Sequence, residues 1–180
     1  MTILIILKYT MDLSKLGAGE KAPEQVNVFI EIPEGSFVKY ELDKDSGVVM
    51  VDRFLYTNMP YPFSYGFVPN TKADDGDPTD VLVLSSQPLA VGTVCPVRVI
   101  GMLEMEDEAG VDTKILAVPT AKIDPFSASL NDVEDIDEAT KNKIKHFFEH
   151  YKDLEPGKWV KAKGFLGKEK AFEDIKNSMK

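Results

Sequence analysis

Short apolar runs separated by turn residues fill the first two thirds of the chain. From about residue 26 to residue 118, β-branched and aromatic residues alternate with clusters of Gly, Pro and Asp, a pattern that indicates short strands. These runs predict strands at 27–32, 38–42, 48–54, 81–84, 93–104 and 114–119. Strands spaced this closely are typical of a small closed or half-closed barrel.

Beyond residue 132 the spacing of apolar residues changes to that of a helix. Four apolar residues recur at positions i, i+3, i+4 and i+7, namely Ile144, Phe147, Phe148 and Tyr151. This period predicts an amphipathic helix with one buried face. Acidic residues precede the helix, as is favourable at a helix N-terminus, and a Pro-Gly pair at 156–157 follows it.

The last part of the chain predicts one more strand and one more helix. Residues 159–165 return to alternation of apolar and polar side chains, and residues 168–179 have the composition of a short terminal helix. We therefore expect an α+β protein with a barrel core. Since no repeat, low-complexity tract or linker divides the 180 residues, we expect a single domain over 1–180.

The charge balance narrows the range of ligands. Asp and Glu number 30 against 21 Lys and Arg, a formal net charge of −9 at pH 7. A net-negative chain repels phosphate backbones, so general nucleic-acid binding is disfavoured. A polyanionic ligand would have to be held by local cations or by bound metal. Cys95 is the only cysteine and allows no internal disulfide.

The N-terminal residues 1–11 carry the one candidate targeting segment. Its apolar run, 2–7, is six residues long with no basic residue before it, which is too short for a membrane span or a secretory signal core. We therefore expect a cytoplasmic protein that does not associate with membranes. Residues 1–11 are predicted to form a flexible extension or an extra edge strand, and Met11 is an alternative start site.

Two acidic loops are candidate metal sites. In 74–80, four Asp surround Gly76 and Pro78 just before an apolar run, and 104–112 carries five acids with no basic residue. Crowded carboxylates repel one another by about 1 kcal/mol per close pair even in water, and a divalent cation would reverse the sign. Oxygen ligands of this type suit Mg2+, Mn2+ or Ca2+. Solvated turns explain both loops without a metal, so that alternative stays open.

Basic and phenolic side chains lie between these loops and the N-terminus. Arg53 is one of two arginines and precedes a run that contains Tyr56, Tyr61 and Tyr65. Arginine forms bidentate bonds to phosphate, and tyrosine hydroxyls donate to phosphate oxygens. A core-capping loop beside a surface ion pair explains the same residues. Lys39 and Glu41, on one face of a predicted strand, are equally compatible with a solvated ion pair.

Taken together, these blocks closely resemble the soluble family I inorganic pyrophosphatases of the bacterial type. The resemblance runs in unbroken order from about residue 23 to residue 165, and its signature is Asp-Gly-Asp-Pro-Thr-Asp at 75–80. The other blocks are Glu31-Ile32-Pro33, Lys39-Tyr40-Glu41, Val51-Asp52-Arg53-Phe54, Tyr61-Pro62, Tyr65-Gly66, Asp107-Glu108-Ala109-Gly110, Asp112, Lys114 and the segment from His146 to Lys152.

The resemblance implies a fold and an activity. It implies a closed OB-like β-barrel flanked by one long and one short C-terminal helix, and a homohexamer. It also implies hydrolysis of pyrophosphate to two phosphates that depends on several Mg2+ ions per subunit, with Mn2+ or other divalent cations as substitutes. Pyrophosphate and phosphate would then be the ligands of the protein.

The resemblance also assigns roles to individual residues of this chain. The expected metal ligands are Asp75, Asp80, Asp107 and Asp112, and the expected general base is Asp77. The expected phosphate contacts are Lys39, Arg53, Tyr65, Lys114, Tyr151 and Lys152. The expected supporting residues are Glu31, Glu41 and Tyr61.

Other functions fit the sequence less well. His146 and His150 match the His-x-x-Glu-His pattern of zinc peptidases, but they flank the predicted buried stripe, and a surface or subunit contact explains both. A non-catalytic OB-type module would need a basic groove, whereas the clustered loops here are acidic. A nucleotide hydrolase would need a phosphate-binding Gly-rich loop ending in Lys-Ser or Lys-Thr, which is absent from the sequence.

Overall fold

The computed structural model of the protein describes residues 13–73 and 76–179. The strands in these ranges are β1 (Gln25–Ile32), β2 (Val38–Asp43), β3 (Val48–Phe54), β4 (Ser64–Phe67), β5 (Asp80–Val83), β6 (Val94–Asp107), β7 (Gly110–Val111), β8 (Lys114–Pro119) and β9 (Val160–Gly167). The helices are α1 (Glu138–His150) and α2 (Lys168–Ser178). The predicted α+β class is confirmed, while the predicted extension or edge strand at 1–11 lies outside the described residues.

Five strands close into a ring, which agrees with the predicted barrel. β1 pairs with β4, β4 with β5, β5 with β8, β8 with β6, and β6 returns to β1. All of these pairs are antiparallel except β5 with β8, which is parallel. β7 and β9 extend β6 beyond the ring, and β2 with β3 forms a separate two-stranded hairpin.

The two helices cover different hydrophobic clusters. Successive residues of β5 point to opposite faces, so Leu82 packs with the buried residues of α1, whereas Val81 and Val83 pack with those of α2. Asp137 caps α1 by accepting a hydrogen bond from the Thr140 backbone N–H at 2.9 Å. The two helices, of 13 and 11 residues, are close in length.

The sequence prediction missed β4, although this strand is a member of the ring. The reason is local, because Pro62 and Gly66 interrupt the apolar pattern around a run of four residues. Gly66 faces Ile30 of β1, and a Cβ atom at Gly66 would lie 1.9 Å from the Phe29 carbonyl oxygen. The glycine that breaks the sequence pattern is therefore what allows β1 and β4 to approach.

None of the helices in the described ranges combines the length and the apolar content that a membrane crossing requires.

The close approach of β1 and β4 predicts a large cost for any side chain at position 66. In Gly66→Ala, the new Cβ overlaps the Phe29 carbonyl, and relief requires movement of the backbone. We expect a loss of more than about 3 kcal/mol in the free energy of unfolding, measured by urea titration. The matched control is Gly92→Ala, whose Cβ meets nothing within 4 Å, so only about 1 kcal/mol of backbone strain is expected. Equal losses in the two variants would contradict this explanation.

Candidate active site

A cleft of about 330 Å³ opens where the starts of β5 and β8 meet the β2–β3 hairpin and the end of α1. Every predicted site residue that the structure describes lines this cleft. These residues are Glu31, Lys39, Glu41, Arg53, Tyr61, Tyr65, Asp77, Asp80, Asp107, Asp112, Lys114, Tyr151 and Lys152. Asp75 lies outside the described residues, so its predicted role stays a prediction.

A buried ammonium group lies at the centre of the cleft. The parallel register of β5 and β8, Val81 opposite Ile115, places Asp80 beside Lys114 at the start of the two strands. Lys114 is 4% exposed, and its Nζ lies 2.6 Å from Asp80 Oδ2 and also donates to Asp112 Oδ1. Burial by itself lowers the pKa of Lys114, but the two carboxylates outweigh it and raise the pKa above its usual value. Lys114 therefore stays charged.

This arrangement is electrostatically unfavourable for the carboxylate of Asp112. Burial raises its pKa, the Lys114 ammonium lowers it in part, and the nearby Asp80 and Asp107 raise it again. The net direction is upward, because a buried carboxylate among other carboxylates is poorly solvated. Added positive charge at this point would stabilise the ionised form of Asp112.

A second ion pair in the cleft joins the end of β6 to the residue that lies two positions after α1. Lys152, which follows α1, donates from Nζ to Asp107 Oδ2 at 2.9 Å, and both side chains are largely buried. Asp107 also accepts a hydrogen bond from the Ala109 backbone N–H at 2.8 Å. Burial acts to raise the pKa of Asp107, but the bonds from Lys152 and Ala109 lower it below its usual value. Asp107 is thus held as an anion at the end of β6.

The two strands of the β2–β3 hairpin contribute one cation each to the cleft. Lys39 lies opposite Arg53 in the register of the hairpin, which has a bulge just after Lys39. Bulges redirect side chains, and here both basic groups line the cleft. Lys39 forms an ion pair with Glu41 and lies 3.4 Å from Asp52, and Arg53 Nε donates to Glu155 Oε1 at 3.1 Å. Arg53 therefore forms the ion pair that the sequence left as an alternative, and it also faces the cleft.

Asp77 lies at the open side of the cleft, with its side chain 75% exposed. Its Oδ1 accepts a hydrogen bond from Lys44 Nζ at 2.9 Å. The backbone carbonyl of Asp77 accepts from the Ala73 N–H at 2.7 Å, which turns the segment back on itself. Lys44, like Glu155 and Asp52, was not among the predicted site residues. A basic residue just beyond Glu41 in the same hairpin was the available signal for Lys44.

Three tyrosines form an aromatic wall behind the charged groups. Tyr61 lies 5.5 Å from Tyr65 and 6.4 Å from Tyr151 between ring centroids, and it packs on Phe147 of α1 at 4.8 Å. Burial raises the pKa of each of the three hydroxyls well above its usual value. The hydroxyls stay protonated and can donate hydrogen bonds. Tyr61 also caps the core, as the alternative interpretation of its loop predicts, because its ring belongs to the hydrophobic cluster under α1.

Glu31 is a buried acid at a bulge near the end of β1. Its Oε1 accepts a hydrogen bond from the Leu42 backbone N–H at 2.6 Å. Burial raises the pKa of Glu31 to about 7, because this loss of solvation outweighs the Leu42 hydrogen bond, and the charges of Asp80 and Glu41 add to the increase. Glu31 thus joins β1 to the β2–β3 hairpin beside the acidic centre.

The donor set of the cleft fits a hard divalent cation such as Mg2+. The acidic groups supply only carboxylate oxygens, and Asp80 and Asp112 converge on one ammonium nitrogen. Among residues 13–73 and 76–179, no group of three acidic, His or Cys side chains is positioned so that it could bind one metal ion. The predicted third ligand, Asp75, is outside these ranges. The two histidines lie on α1 away from the cleft lining, and His150 Nδ1 is 2.8 Å from Asp153 Oδ2.

Comparison with known proteins shows which family combines this fold with this cleft. The family model described as inorganic pyrophosphatase matches residues 28–180. The chain belongs to the inorganic pyrophosphatase family. Inorganic pyrophosphatases hydrolyse the diphosphate bond, so the protein is a hydrolase.

Relatives and solved structures of this family are similar over nearly the whole chain. The inorganic pyrophosphatase of Aquifex pyrophilus is 56% identical over 169 residues, which cover 94% of this chain and 96% of that one. The structure from Thermus thermophilus superposes with a TM-score of 0.89 at 46% identity, covering 93% of this chain and 96% of its own. The structure from Coxiella burnetii gives 0.88 at 49% identity, with coverages of 91% and 97%.

The raised pKa of Glu31 predicts a pH-dependent contribution to stability. The folded state binds this proton up to about pH 7, whereas the unfolded carboxyl releases it near its ordinary pKa of 4.5. The contribution of Glu31 is therefore complete below pH 4.5 and is lost as the pH rises through 7. The matched variant is Glu31→Gln, which keeps an acceptor for the Leu42 N–H. Relative to this variant, the free energy of unfolding of the parent protein should fall by on the order of 3 kcal/mol over this pH window. Urea unfolding in EDTA at several pH values measures it, and a pH-independent difference would rule it out.

Proposed function

We propose that the protein hydrolyses inorganic pyrophosphate to two orthophosphates in a reaction that depends on Mg2+. The observation that carries this proposal is the buried Lys114 ammonium held between Asp80 and Asp112, at the centre of a cleft where cations and carboxylates alternate. Pyrophosphate carries roughly three to four negative charges near neutral pH, and a cleft of this composition can hold it only together with divalent cations.

Asp80 and Asp112, together with Asp75, are proposed as ligands of the ions that activate water. Asp107 and Asp112 are proposed as ligands of an ion that enters with the substrate. Bound Mg2+ supplies positive charge that polarises phosphate oxygens and lowers the pKa of water. The raised pKa of Asp112 supports this assignment, since its carboxylate is short of positive charge even with Lys114 beside it.

The cations of the cleft are proposed as the substrate contacts. Lys39, Arg53 and Lys152 each form an ion pair with a carboxylate, so they are held in place before phosphate arrives. Phosphate oxygens would take over part of these contacts, which limits the desolvation cost of binding. The protonated hydroxyls of Tyr65 and Tyr151 add hydrogen-bond donors. The proposed supporting residues, Glu31, Glu41 and Tyr61, position these groups.

Asp77 is proposed as the general base. In the reaction, the oxygen of one water forms a bond to phosphorus, the bridging P–O bond breaks, and the second phosphate leaves with the bonding electron pair. The water proton passes to the Asp77 carboxylate. Its exposed position beside the cleft allows access to water, and the bond from Lys44 Nζ orients the carboxylate.

A phosphate-release assay tests the proposed reaction. Pyrophosphate and ATP are compared as substrates over a Mg2+ titration that starts from protein treated with EDTA. We expect phosphate release from pyrophosphate only after Mg2+ is added, and much slower release from ATP, because all of the proposed substrate contacts are to phosphate oxygens. Hydrolysis of pyrophosphate at full rate in EDTA would contradict the Mg2+ dependence, and a preference for ATP would contradict the substrate.

Asp77→Asn tests the proposed base. The amide keeps the size of the side chain but accepts no proton, so turnover should fall by roughly 10²- to 10⁴-fold at saturating substrate. The unfolding temperature should stay close to that of the parent protein, since the side chain is exposed. Asp153→Asn is the control, because it removes the same charge from an exposed position outside the cleft. Near-normal turnover in Asp77→Asn would remove the assigned role.

We also propose that residues 1–180 act as one catalytic domain in a cytoplasmic homohexamer. The cleft draws side chains from β1, the β2–β3 hairpin, β8 and the end of α1, which supports a single unit. The lone, buried Cys95 is compatible with a reducing compartment. Exposed apolar side chains such as Phe54, Phe126 and Leu154 offer contact surfaces for subunit association.

A further inference from the structure

We propose that Ser178, in the last turn of α2, is a positioning residue for the acidic segment at 76–80. Ser178 is not part of the cleft lining, and it is separated from this segment by about a hundred residues of sequence. It nevertheless holds the chain directly before Asp80, the partner of Lys114. This role deepens the proposed function, because the segment carries the proposed base and one proposed metal ligand.

The side chain of Ser178 makes the first connection. Thr79 Oγ1 donates a hydrogen bond to Ser178 Oγ at 2.7 Å, and the two residues are only 2% and 5% exposed. Ser178 Oγ in turn donates to the Ile175 carbonyl at 2.9 Å. Because the Ser178 hydroxyl proton is used within the helix, its oxygen is left to accept from Thr79. The geometry therefore defines a donor and an acceptor at each step.

The backbone of Ser178 makes the second connection. Its carbonyl accepts a hydrogen bond from the Lys72 backbone N–H at 2.7 Å. The acidic loop belongs to the connection between β4 and β5, residues 68–79, and Lys72 and Thr79 lie on the two arms of this connection, on either side of the two residues that the structure does not describe. One residue at the end of α2 thus holds both arms, one through its side chain and the other through its main chain.

The other hydrogen bonds of Thr79 are made by its backbone. Its backbone N–H donates to Thr71 Oγ1 at 2.9 Å, and its carbonyl accepts from the Val68 N–H at 2.9 Å. Both of these partners belong to the opposite arm of the same loop. Within the described residues, the Thr79 hydroxyl is the group of this residue that joins the loop to a different element. Loss of that bond leaves the Thr79 arm joined to α2 indirectly, through the opposite arm, whose Lys72 N–H still donates to the Ser178 carbonyl.

α2 is a suitable reference for positioning because it is fixed to the barrel. Ala171 and Ile175 are fully buried against the cluster that contains Val81 and Ile115, the first residues after Asp80 and Lys114. The same helix also contacts the residue that follows the second acidic loop, since Thr113 Oγ1 donates to Asp174 Oδ2 at 3.4 Å. α2 therefore contacts both chain segments whose carboxylates meet at Lys114.

The inference rests on the proposed function and makes a separate prediction about metal binding. Without the Thr79–Ser178 hydrogen bond, the carboxylates at 77 and 80 should sample more positions, and divalent cations should bind more weakly. The expected effect is a roughly threefold to tenfold higher half-saturating metal concentration, the size expected from one net hydrogen bond. A contribution to stability alone would lower the unfolding temperature without changing the metal affinity.

The test compares Thr79→Val, Ser178→Ala and their double variant in the full chain. Val keeps the shape of Thr without its hydroxyl, and Thr79→Ser keeps the hydroxyl. Ser127→Ala is the matched control, because Ser127 is also buried and its hydroxyl donates to the Asp124 carbonyl away from the cleft. Binding of Mn2+ alone is measured by equilibrium dialysis well below the unfolding temperature, together with thermal unfolding in EDTA and the Mg2+ dependence of pyrophosphate hydrolysis.

The role is supported if Mn2+ binds more weakly to Thr79→Val and to Ser178→Ala, and if the double variant shows no further loss. Thr79→Ser and Ser127→Ala should bind Mn2+ nearly as well as the parent protein. Unchanged Mn2+ binding in Thr79→Val would overturn it, whatever happens to stability. Additive losses in the double variant would also overturn it, since the two hydroxyls would then act independently. If Ser178→Ala fails to fold, the two Thr79 variants carry the comparison. A parent protein that binds no Mn2+ would contradict the proposed function and, with it, this role.

Discussion

The arrangement of the cleft depends on one buried ammonium group between two carboxylates. Lys114 lies at the start of β8, Asp80 at the start of β5, and their side-by-side placement follows from the parallel pairing of these strands. Asp112 reaches the same nitrogen from the chain just before β8. Without this cation, two partly buried carboxylates would face each other at an electrostatic cost. Their pairing with Lys114 allows the fold to keep these acidic groups together at the position proposed for divalent-cation binding.

The same balance of charge extends across the cleft. Lys152 is matched with Asp107, Arg53 with Glu155 and Lys39 with Glu41. A chain with a net charge of −9 can thus keep several basic side chains in a fixed arrangement, because each of them has a carboxylate partner. In the proposed reaction these cations meet phosphate oxygens, and the acids they leave can be balanced by divalent ions. The excess of acid in the sequence is therefore compatible with a polyanionic substrate, since part of it forms the proposed metal sites.

Support for these charged groups comes from both helices. α1 places Phe147 against Tyr61, which packs on Tyr65 and Tyr151. The aromatic wall of the cleft is therefore an extension of the hydrophobic core. α2 packs on the other face of the ring, and its last turn holds the arms of the acidic loop through Ser178. The cluster under α1 therefore contributes directly to the cleft lining, whereas α2 contacts the acidic loop through Ser178.

The sequence by itself determined the elements whose signal is local. The period of α1, most of the strands and the identity of the charged loops follow from side-chain spacing, because burial of one face requires it. Only the tertiary structure decided how these parts meet. β4 is hidden in the sequence because Gly66 is required by contact with Phe29, which is distant along the chain. Some of the ion pairs in the cleft also join distant residues, 45 apart for Lys152 and Asp107 and 102 apart for Arg53 and Glu155. Strand register and ring closure bring such residues together, and no spacing within a single segment encodes either one.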